Sequence, residues 1–576
     1  MEVNSLKNII DSARGKRKAD FVIKNCRIVN VLSHEITEGD IAITDGIIVG
    51  TGSYSGIEET DAAGAYAIPG LIEGHIHIES SFTTPEEFSA LMVPYGTTTA
   101  IADPHEITNV CGLKGFKYMI EASKNAAMDI KYMVPSCVPC TPFEDSGETV
   151  SAEDIERVLG GDEVLGLGEL MDFVGVLNCN EEVLKKVSAV QKAGKYIDGH
   201  APGVKGKDRL AYISAGVRTD HECSTIEEFN ESVSNGMYVA LRDGSASNDL
   251  VKLVKGITEQ NSRRCFFCSD DRQPVTVFDK GDLDNHLRIC VSNGIDPITA
   301  VQMGTINAAE CYGLTDRGSL TPGKRADIVL MKDLKDFEPL KVFIKGELVA
   351  ENKKYLKEVK RYPIDEVMGS VHVKDFDIGA LKLNIKASRV HAIEISSGSI
   401  VTKDSLVEVK KTLDGDFVFE KDKDVAKIAV LERHHEKGFI GLGLIKGYGI
   451  KKGAIALTIG HDSHNILCVG VSNEEMYFAV QKIKEQSGGI VLVNEGKVVE
   501  SMPLPVAGLM SDQSSEWVSN KLEEVNEAAF NILGVNKDIE PVSQLCFMAL
   551  PVIPELKITD RGLFDVRKFD FIDINA

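Results

Sequence analysis

The chain has 576 residues, 43% hydrophobic and 26% charged, the balance of a globular protein of roughly three to four domains or of one large barrel with satellites. Its 64 Lys plus Arg against 87 Asp plus Glu leave a net charge of −23. That excludes the basic surface a nucleic-acid binder needs and disfavours an anionic membrane surface. No apolar run approaches the roughly 18 residues of a membrane span, and no signal-like apolar stretch opens the chain, so a cytoplasmic location is expected.

Residues 21–60 alternate β-branched runs with turn residues (DFVIKNCRIVNV, EGDIAITDGIIVGTG), the texture of a small all-β element. Residues 318–350 repeat it in GSLTPGKRADIVLMKDL and LKVFIKGELV. Two β-rich pieces flanking a long middle section predict one split β-sandwich, with residues 1–65 as its N-terminal half and 316–358 as its return strands. Between them, residues 66–315 alternate apolar strands with helical patterns. Eight strands are read at 66–77, 97–105, 130–139, 164–171, 195–202, 216–222, 237–245 and 264–271. Ser151 is a candidate N-cap, followed by acidic residues in the first turn. Eight such units over roughly 250 residues predict an α/β fold, a (β/α)8 TIM-like barrel. An open doubly wound sheet is disfavoured because no GxGxxG turn follows a first strand. Residues 359–576, with short strands and late helices, read as an additional C-terminal α+β domain.

Twelve cysteines are too sparse for a disulfide scaffold. Cys137/Cys140 and Cys265/Cys268 have CxxC spacing, but the second pair lies in a strand, where residues three apart face opposite sides. They read as small buried hydrophobes rather than zinc ligands.

Seven histidines precede residue 330, and five of them (His75, His77, His105, His200 and His221) fall at the C-terminal end of a proposed barrel strand. That is the end at which barrel enzymes place their active sites. His75 and His77 form an HxH whose two imidazoles share one strand face and can chelate one metal. Glu169 ends strand four in an apolar run, where its charge needs a partner, and Asp270 and Asp271 close strand eight. Carboxylates pressed together in a barrel mouth repel unless cations sit between them. Alternation along a strand brings only one of the two aspartates into the mouth.

The order HxH, a carboxylate on strand four, then His, His and Asp on strands five, six and eight resembles the amidohydrolase superfamily. The strings IEGHIHIESS, ADPHEI, GLGELM, GHAPG, RTDHE and CSDDR resemble the bacterial adenine deaminases within it. GHDSHN and GGIVLV resemble that family's additional C-terminal domain. The resemblance implies hydrolysis of adenine to hypoxanthine and ammonia by attack of a metal-bound hydroxide on C6. It implies two divalent metals, manganese or iron, with zinc not excluded. His75, His77 and Asp270 are expected on one ion, His200 and His221 on the other, and Glu169 bridging in place of a modified lysine. The resemblance also favours Asp270 over Asp271 as the metal and proton-transfer residue, with His221 polarising the attacked centre or orienting the water.

Substrate contacts are expected from Asp103, His105 and Glu106 after strand two and from Asp271, with Ser136 and Cys137 as wall residues. Glu106 could instead cap a helix. The downstream cluster His434, His435, His461 and His464 is read first as a hydrogen-bonded turn, with a second metal site or a lid over the barrel as the less favoured readings. A cyclic-amide hydrolase of the dihydroorotase or allantoinase kind is the rival activity, and a non-catalytic descendant of the fold the remoter one. The expected partners are adenine, water and a second copy of the chain in a homodimer.

Overall fold

The computed structural model describes residues 2–245 and 247–575. The eight barrel strands are Leu71–Ile76 (β1), Thr97–Ala102 (β2), Asp129–Val134 (β3), Val164–Leu170 (β4), Tyr196–Gly199 (β5), Thr219–Asp220 (β6), Tyr238–Arg242 (β7) and Cys265–Cys268 (β8). All neighbours pair in parallel, in one arc β1 to β5 and another β6 to β8. The arcs meet where Arg218 N–H donates to Ile197 O at 2.9 Å. They close where Asp270 N–H donates to His75 O at 3.0 Å and His77 N–H to Asp270 O at 2.9 Å. Buried aliphatic and aromatic side chains such as Ile76, Ile130, Leu167, Val239 and Phe267 fill the contacts between strands and helices, the pattern of strands covered on both faces. Ser151 caps its helix with a reciprocal capping box to Asp154.

All eight strands end before their expected last residue, β6 keeping only Thr219–Asp220 of 216–222, and the first is also divided. Residues 66–77 do not run as a single strand: Tyr66–Pro69 pairs with Ile328–Met331 in the N-terminal sheet, and β1 begins at Leu71. Gly70 sits at the break, where a Cβ would lie 2.1 Å from Thr98 Oγ1, so only glycine lets the chain cross between sheet and barrel there.

The N-terminal strands Ala19–Asn30, Glu35–Thr44, Ile47–Gly52, Gly56–Asp61 and Tyr66–Pro69 form one nine-stranded sheet with four strands from Ile328 to Tyr355. The sheet curls back on itself: Ile48 N–H donates to Lys324 O at 2.8 Å and Ala326 N–H to Gly46 O at 2.9 Å. Ile23, Ile41, Ile43, Ala67, Ile328 and Phe343 share the core this encloses.

Residues beyond 388 build an eight-stranded sheet from Arg389–Ser396 to Lys497–Pro503. The helix Asn473–Glu485 lays Met476, Ala479, Val480 and Ile483 on it. This region clasps the loop after β3. Asn465 Nδ2 donates to Asp145 O at 2.7 Å, His435 Nε2 to Ser146 O at 3.0 Å, and Arg561 Nε to Asp145 Oδ2 at 3.1 Å. Phe143 packs against Phe564 and Phe569 at 4.9 and 5.1 Å between ring centroids. The clasp sets the C-terminal region over the barrel mouth.

Candidate active site

The HxH leaves β1 at the mouth with its two rings 4.9 Å apart and nearly perpendicular. Both Nε2 atoms face Asp270 Oδ1, at 3.5 Å from His75 and 3.1 Å from His77. His77 Nδ1 donates to Asp103 O at 2.8 Å, which commits that nitrogen and leaves Nε2 to face the carboxylates. His75 and His221 stack at 4.3 Å.

Glu169 divides these imidazoles into two groups. Its Oε1 lies 3.4 Å from His77 Nε2 and 3.2 Å from His105 Nδ1. Its Oε2 lies 2.9 Å from His200 Nδ1 and 3.1 Å from His221 Nε2. The carboxylate is held from behind: Glu169 N–H donates to Asp103 Oδ2 at 2.9 Å and Ser136 Oγ donates to Glu169 O. A Cβ at Gly168 would lie 2.1 Å from Asp103 Oδ2, so the GLGE string needs glycine at that point. Asp103 is therefore a brace for β4 and does not line the cavity over the ligands, contrary to its expected place among substrate contacts. Ser136 and Cys137 likewise lie outside that lining.

The alternation argument for the two aspartates fails. Strand β8 ends at Cys268, and Asp270 lies beyond it with a φ of 62°, the left-handed region an L-residue occupies at a cost. Both carboxylates consequently enter the mouth. Asp270 Oδ1 faces His75 and His77 while its Oδ2 accepts from Arg242 Nη1 at 2.8 Å. Asp271 turns toward Glu106 and His461, with its Oδ1 buried and without a hydrogen-bond partner. Glu106 is fully buried with both oxygens unpartnered. His105 stands nearer the ligand group than the substrate contacts, with its ring 4.3 Å from His77.

The downstream histidines also depart from the favoured reading. GHDSH is a turn, closed by His464 N–H to Gly460 O at 2.7 Å, but it is seated in the mouth. His461 Nδ1 lies 3.7 Å from Glu106 Oε1, and Asp462 Oδ1 lies 3.8 Å from His105 Nε2. The clasp around residues 143–146 brings it there, a contact across more than 300 residues that no local pattern reports. His434 and His435 are spent on backbone carbonyls of Ser463 and Ser146. Sequence reasoning also missed Glu222, which pairs with Arg242 and lies 3.8 Å from His200 Nδ1. Its acidic side chain directly after His221 in RTDHE was the available signal. All twelve cysteines are free, and none joins a candidate ligand group among the described residues.

Two family models match the chain: the amidohydrolase family over residues 66–349 and the adenine deaminase C-terminal domain over residues 399–570. The chain is 54% identical to adenine deaminase 2 of Desulfotalea psychrophila over 576 residues, covering 100% of each. It is 49% identical to adenine deaminase of Ligilactobacillus salivarius, covering 99% of each. Against adenine deaminase of Clostridium acetobutylicum it is 45% identical, over 98% of this chain and 99% of the relative. The chain belongs to the adenine deaminase family.

In this family member the electrostatics of the cluster call for added positive charge. Burial works against the charged form of every group. Even so, the carboxylates of Asp270 and Glu169 carry His77 well above the ordinary histidine range, and they carry His221 to about 9. Glu169 is buried but sits well below the usual carboxylate range because His200, His105 and His221 surround it. Asp270 does so because of His221, His75 and His77. His75 moves the other way, lowered by burial and by His221. Protonated imidazoles thus neutralise the carboxylates where a divalent centre would otherwise do so. With His75 Nε2 and His105 Nδ1 buried and without hydrogen-bond partners, nitrogen and carboxylate donors fit divalent cations and include no thiolate. The family and these clusters together indicate a divalent metal centre.

Proposed function

We propose that the chain hydrolyses adenine to hypoxanthine and ammonia at the barrel mouth. The observation that carries this reading is Glu169, whose two oxygens face two separate imidazole groups, beside a second compartment of unpartnered acceptors on Glu106 and Asp271. His75, His77, Asp270 and Glu169 would hold one divalent ion, and Glu169, His200 and His221 the other; such donors suit manganese, iron or zinc, and the family resemblance favours manganese or iron. Bound divalent ions supply water acidified from 15.7 to roughly 7, the nucleophile for C6.

The chain's own residues do the rest. Asp270, kept anionic well below the usual range, accepts the proton of the attacking water and passes it to the ring or to the leaving amine. Arg242, 2.8 Å from its outer oxygen, keeps that carboxylate turned toward the two β1 histidines. His221 orients the water beside Glu169. Burial and the neighbouring charges of Glu79 and Asp271 push the Glu106 carboxyl well above its ordinary range, which favours the protonated form that can donate to a ring nitrogen. Burial and Asp270 bring Asp271 to about 7, suited to sharing a proton with the base. One water is consumed and one ammonia released per adenine. Cyclic-amide hydrolysis is disfavoured because, among the described residues, the wall opposite the metal ligands presents no lysine or arginine for an anionic substrate.

We further read residues 1–65 and 316–358 as one sandwich domain around a 66–315 barrel, with 359–576 as the third unit, in a cytoplasmic homodimer. The acidic composition and the prevalence of twofold assemblies support the last part, and sedimentation tests it. The decisive experiment is ammonia release from a purine and pyrimidine panel by Mn(II)-reconstituted chain, with His75→Ala/Asp270→Asn as control. Adenine-specific, metal-dependent release is expected. Ring opening of a dihydropyrimidine or hydantoin, with no ammonia from adenine, would falsify the deaminase reading.

A further inference from the structure

The cavity over the metal ligands has two chemically opposite walls. The barrel side consists almost entirely of ionisable groups: His77, His105, Glu169, His200, His221 and Asp270 among them. The opposite side comes from the C-terminal region, and apart from His461 and Asp462 it is apolar: Ile400, Phe547, Leu550, Val552 and Ile553. A neutral flat heterocycle needs a slot with apolar faces and a few fixed polar contacts, and neither wall alone provides one.

Phe547 stands at the centre of this second wall. It lines the cavity over the metal ligands and also the adjoining one that holds Glu106, Asp271 and Ser543. Its ring stacks on His461 at 4.6 Å with 6° between planes. The position is built, not incidental. Lys557 is fully buried, and its Nζ donates to the carbonyl oxygens of both Ile400 and Phe547 at 2.9 Å, tying the two wall segments together.

We infer that Phe547, backed by His461, is the specificity-determining surface on which the purine ring lies, and that the aliphatic collar beside it admits the free base but not its N9-ribosylated form. The inference rests on the adenine reading and adds that base recognition is carried by the C-terminal region. The base stacks on Phe547 while its polar edge meets Glu106 and Asp271. The collar of Ile400, Leu550, Val552 and Ile553 offers no hydrogen-bonding side chain to ribose hydroxyls, which would be left buried and unpaired.

The test is steady-state kinetics on adenine with full-length, metal-loaded Phe547→Ala and Phe547→Tyr. Base stacking on an aromatic side chain predicts a KM raised roughly 5- to 150-fold in the alanine variant, with kcat lowered far less, and recovery of most of the loss in Phe547→Tyr. Metal content and thermal midpoint are measured alongside. A matching fall in metal content and kcat with KM unchanged, and no rescue by tyrosine, assigns Phe547 a structural role and overturns the inference. Adenosine completes the series: its turnover near the rate for adenine by the unsubstituted chain refutes the collar. If the unsubstituted chain releases no ammonia from adenine, the fault lies with the proposed activity. If it does and Phe547→Ala matches it in KM, the wall assignment alone fails.

Discussion

Replacing Asp220 by asparagine tests how the strand-six end is held. Asp220 is fully buried, and its Oδ2 accepts from Arg209 Nη1 at 2.7 Å. Arg209 is buried too, and its remaining contacts, Val204 O and Ser232 Oγ at 2.8 Å each and Met237 Sδ at 3.9 Å, are neutral. Asp220 Oδ1 accepts from Glu222 N–H at 3.0 Å, so one carboxylate fixes the backbone on both sides of His221. At this separation, with an effective dielectric of about 20, the pair attraction is roughly 6 kcal/mol, and stranding one buried partner costs about 3–5 kcal/mol. Asp220→Asn should therefore lose about 3–5 kcal/mol, a fall of roughly 10 °C in the thermal midpoint of the barrel. The double variant Arg209→Met/Asp220→Leu removes both charges and should regain most of that stability. It still lacks the acceptor for Glu222 N–H, so kcat/KM on adenine stays depressed while the midpoint recovers. Thermal melts of the metal-loaded chain, with kinetics on the same samples, read both. A loss below about 1 kcal/mol in Asp220→Asn would show that Arg209 is not stranded and would refute the reasoning.

Glu169→Gln keeps the shape of the bridging side chain and removes its charge. It should lower kcat by at least 10²–10³-fold, the order seen when a positioned electrostatic group is lost, together with bound metal, read by metal analysis and ammonia release. Full metal occupancy with near-normal kcat would exclude it as the bridge. Lys557 has its pKa pulled from 10.5 down to about 7 by burial alone. The unfolded chain therefore binds that proton more tightly, and the ammonium penalises folding below about pH 7. Stability rises as pH climbs from about 7 to 10.5, by up to roughly 5 kcal/mol, and Lys557→Met should lack this component. Urea midpoints at neutral and alkaline pH compare the two chains, and an equal rise in both discards the argument. Cys179 is the exposed thiol, Cys111 and Cys140 are half-buried, and the other nine are buried. A thiol reagent on the native chain should titrate about one cysteine rapidly, and immediate reaction of several would contradict the burial.

Much of the barrel was legible because its signals are local. HxH on one strand, apolar runs ending in His or carboxylate, and β-branched texture on both flanks depend only on near neighbours. His75, His77, Glu169, His200, His221 and Asp270 converge as those signals suggested. What was not legible depends on the path of the chain after a strand ends. The left-handed φ of Asp270 brings both aspartates into the mouth, where strand alternation allowed one. Asp103 turned from substrate contact to brace because a glycine opposite it lets its carboxylate reach the β4 backbone. His461 was placed over the barrel only as the less favoured lid reading, and Phe547 not at all, because their position follows from the clasp on residues 143–146 and not from any spacing.

The crossing between sheet and barrel carries a consequence for how the chain is threaded. Gly70 N–H donates to Asp327 O at 2.9 Å, so the points of departure and return are bonded to each other. Topologically, the catalytic barrel is an insert with touching ends, spliced into one sheet. The sheet cannot be completed until the insert has come full circle, because Ile328–Met331 must find Tyr66–Pro69. Closing so long an excursion adds only slowly growing entropy, about (3/2)RT ln n, so the demand falls on folding order more than on stability. The same joint serves as a datum for the chemistry. β1 starts at the next residue, and His75 and His77 sit one short strand beyond it, so the first metal ligands are measured off from the knot that also anchors the barrel's last return.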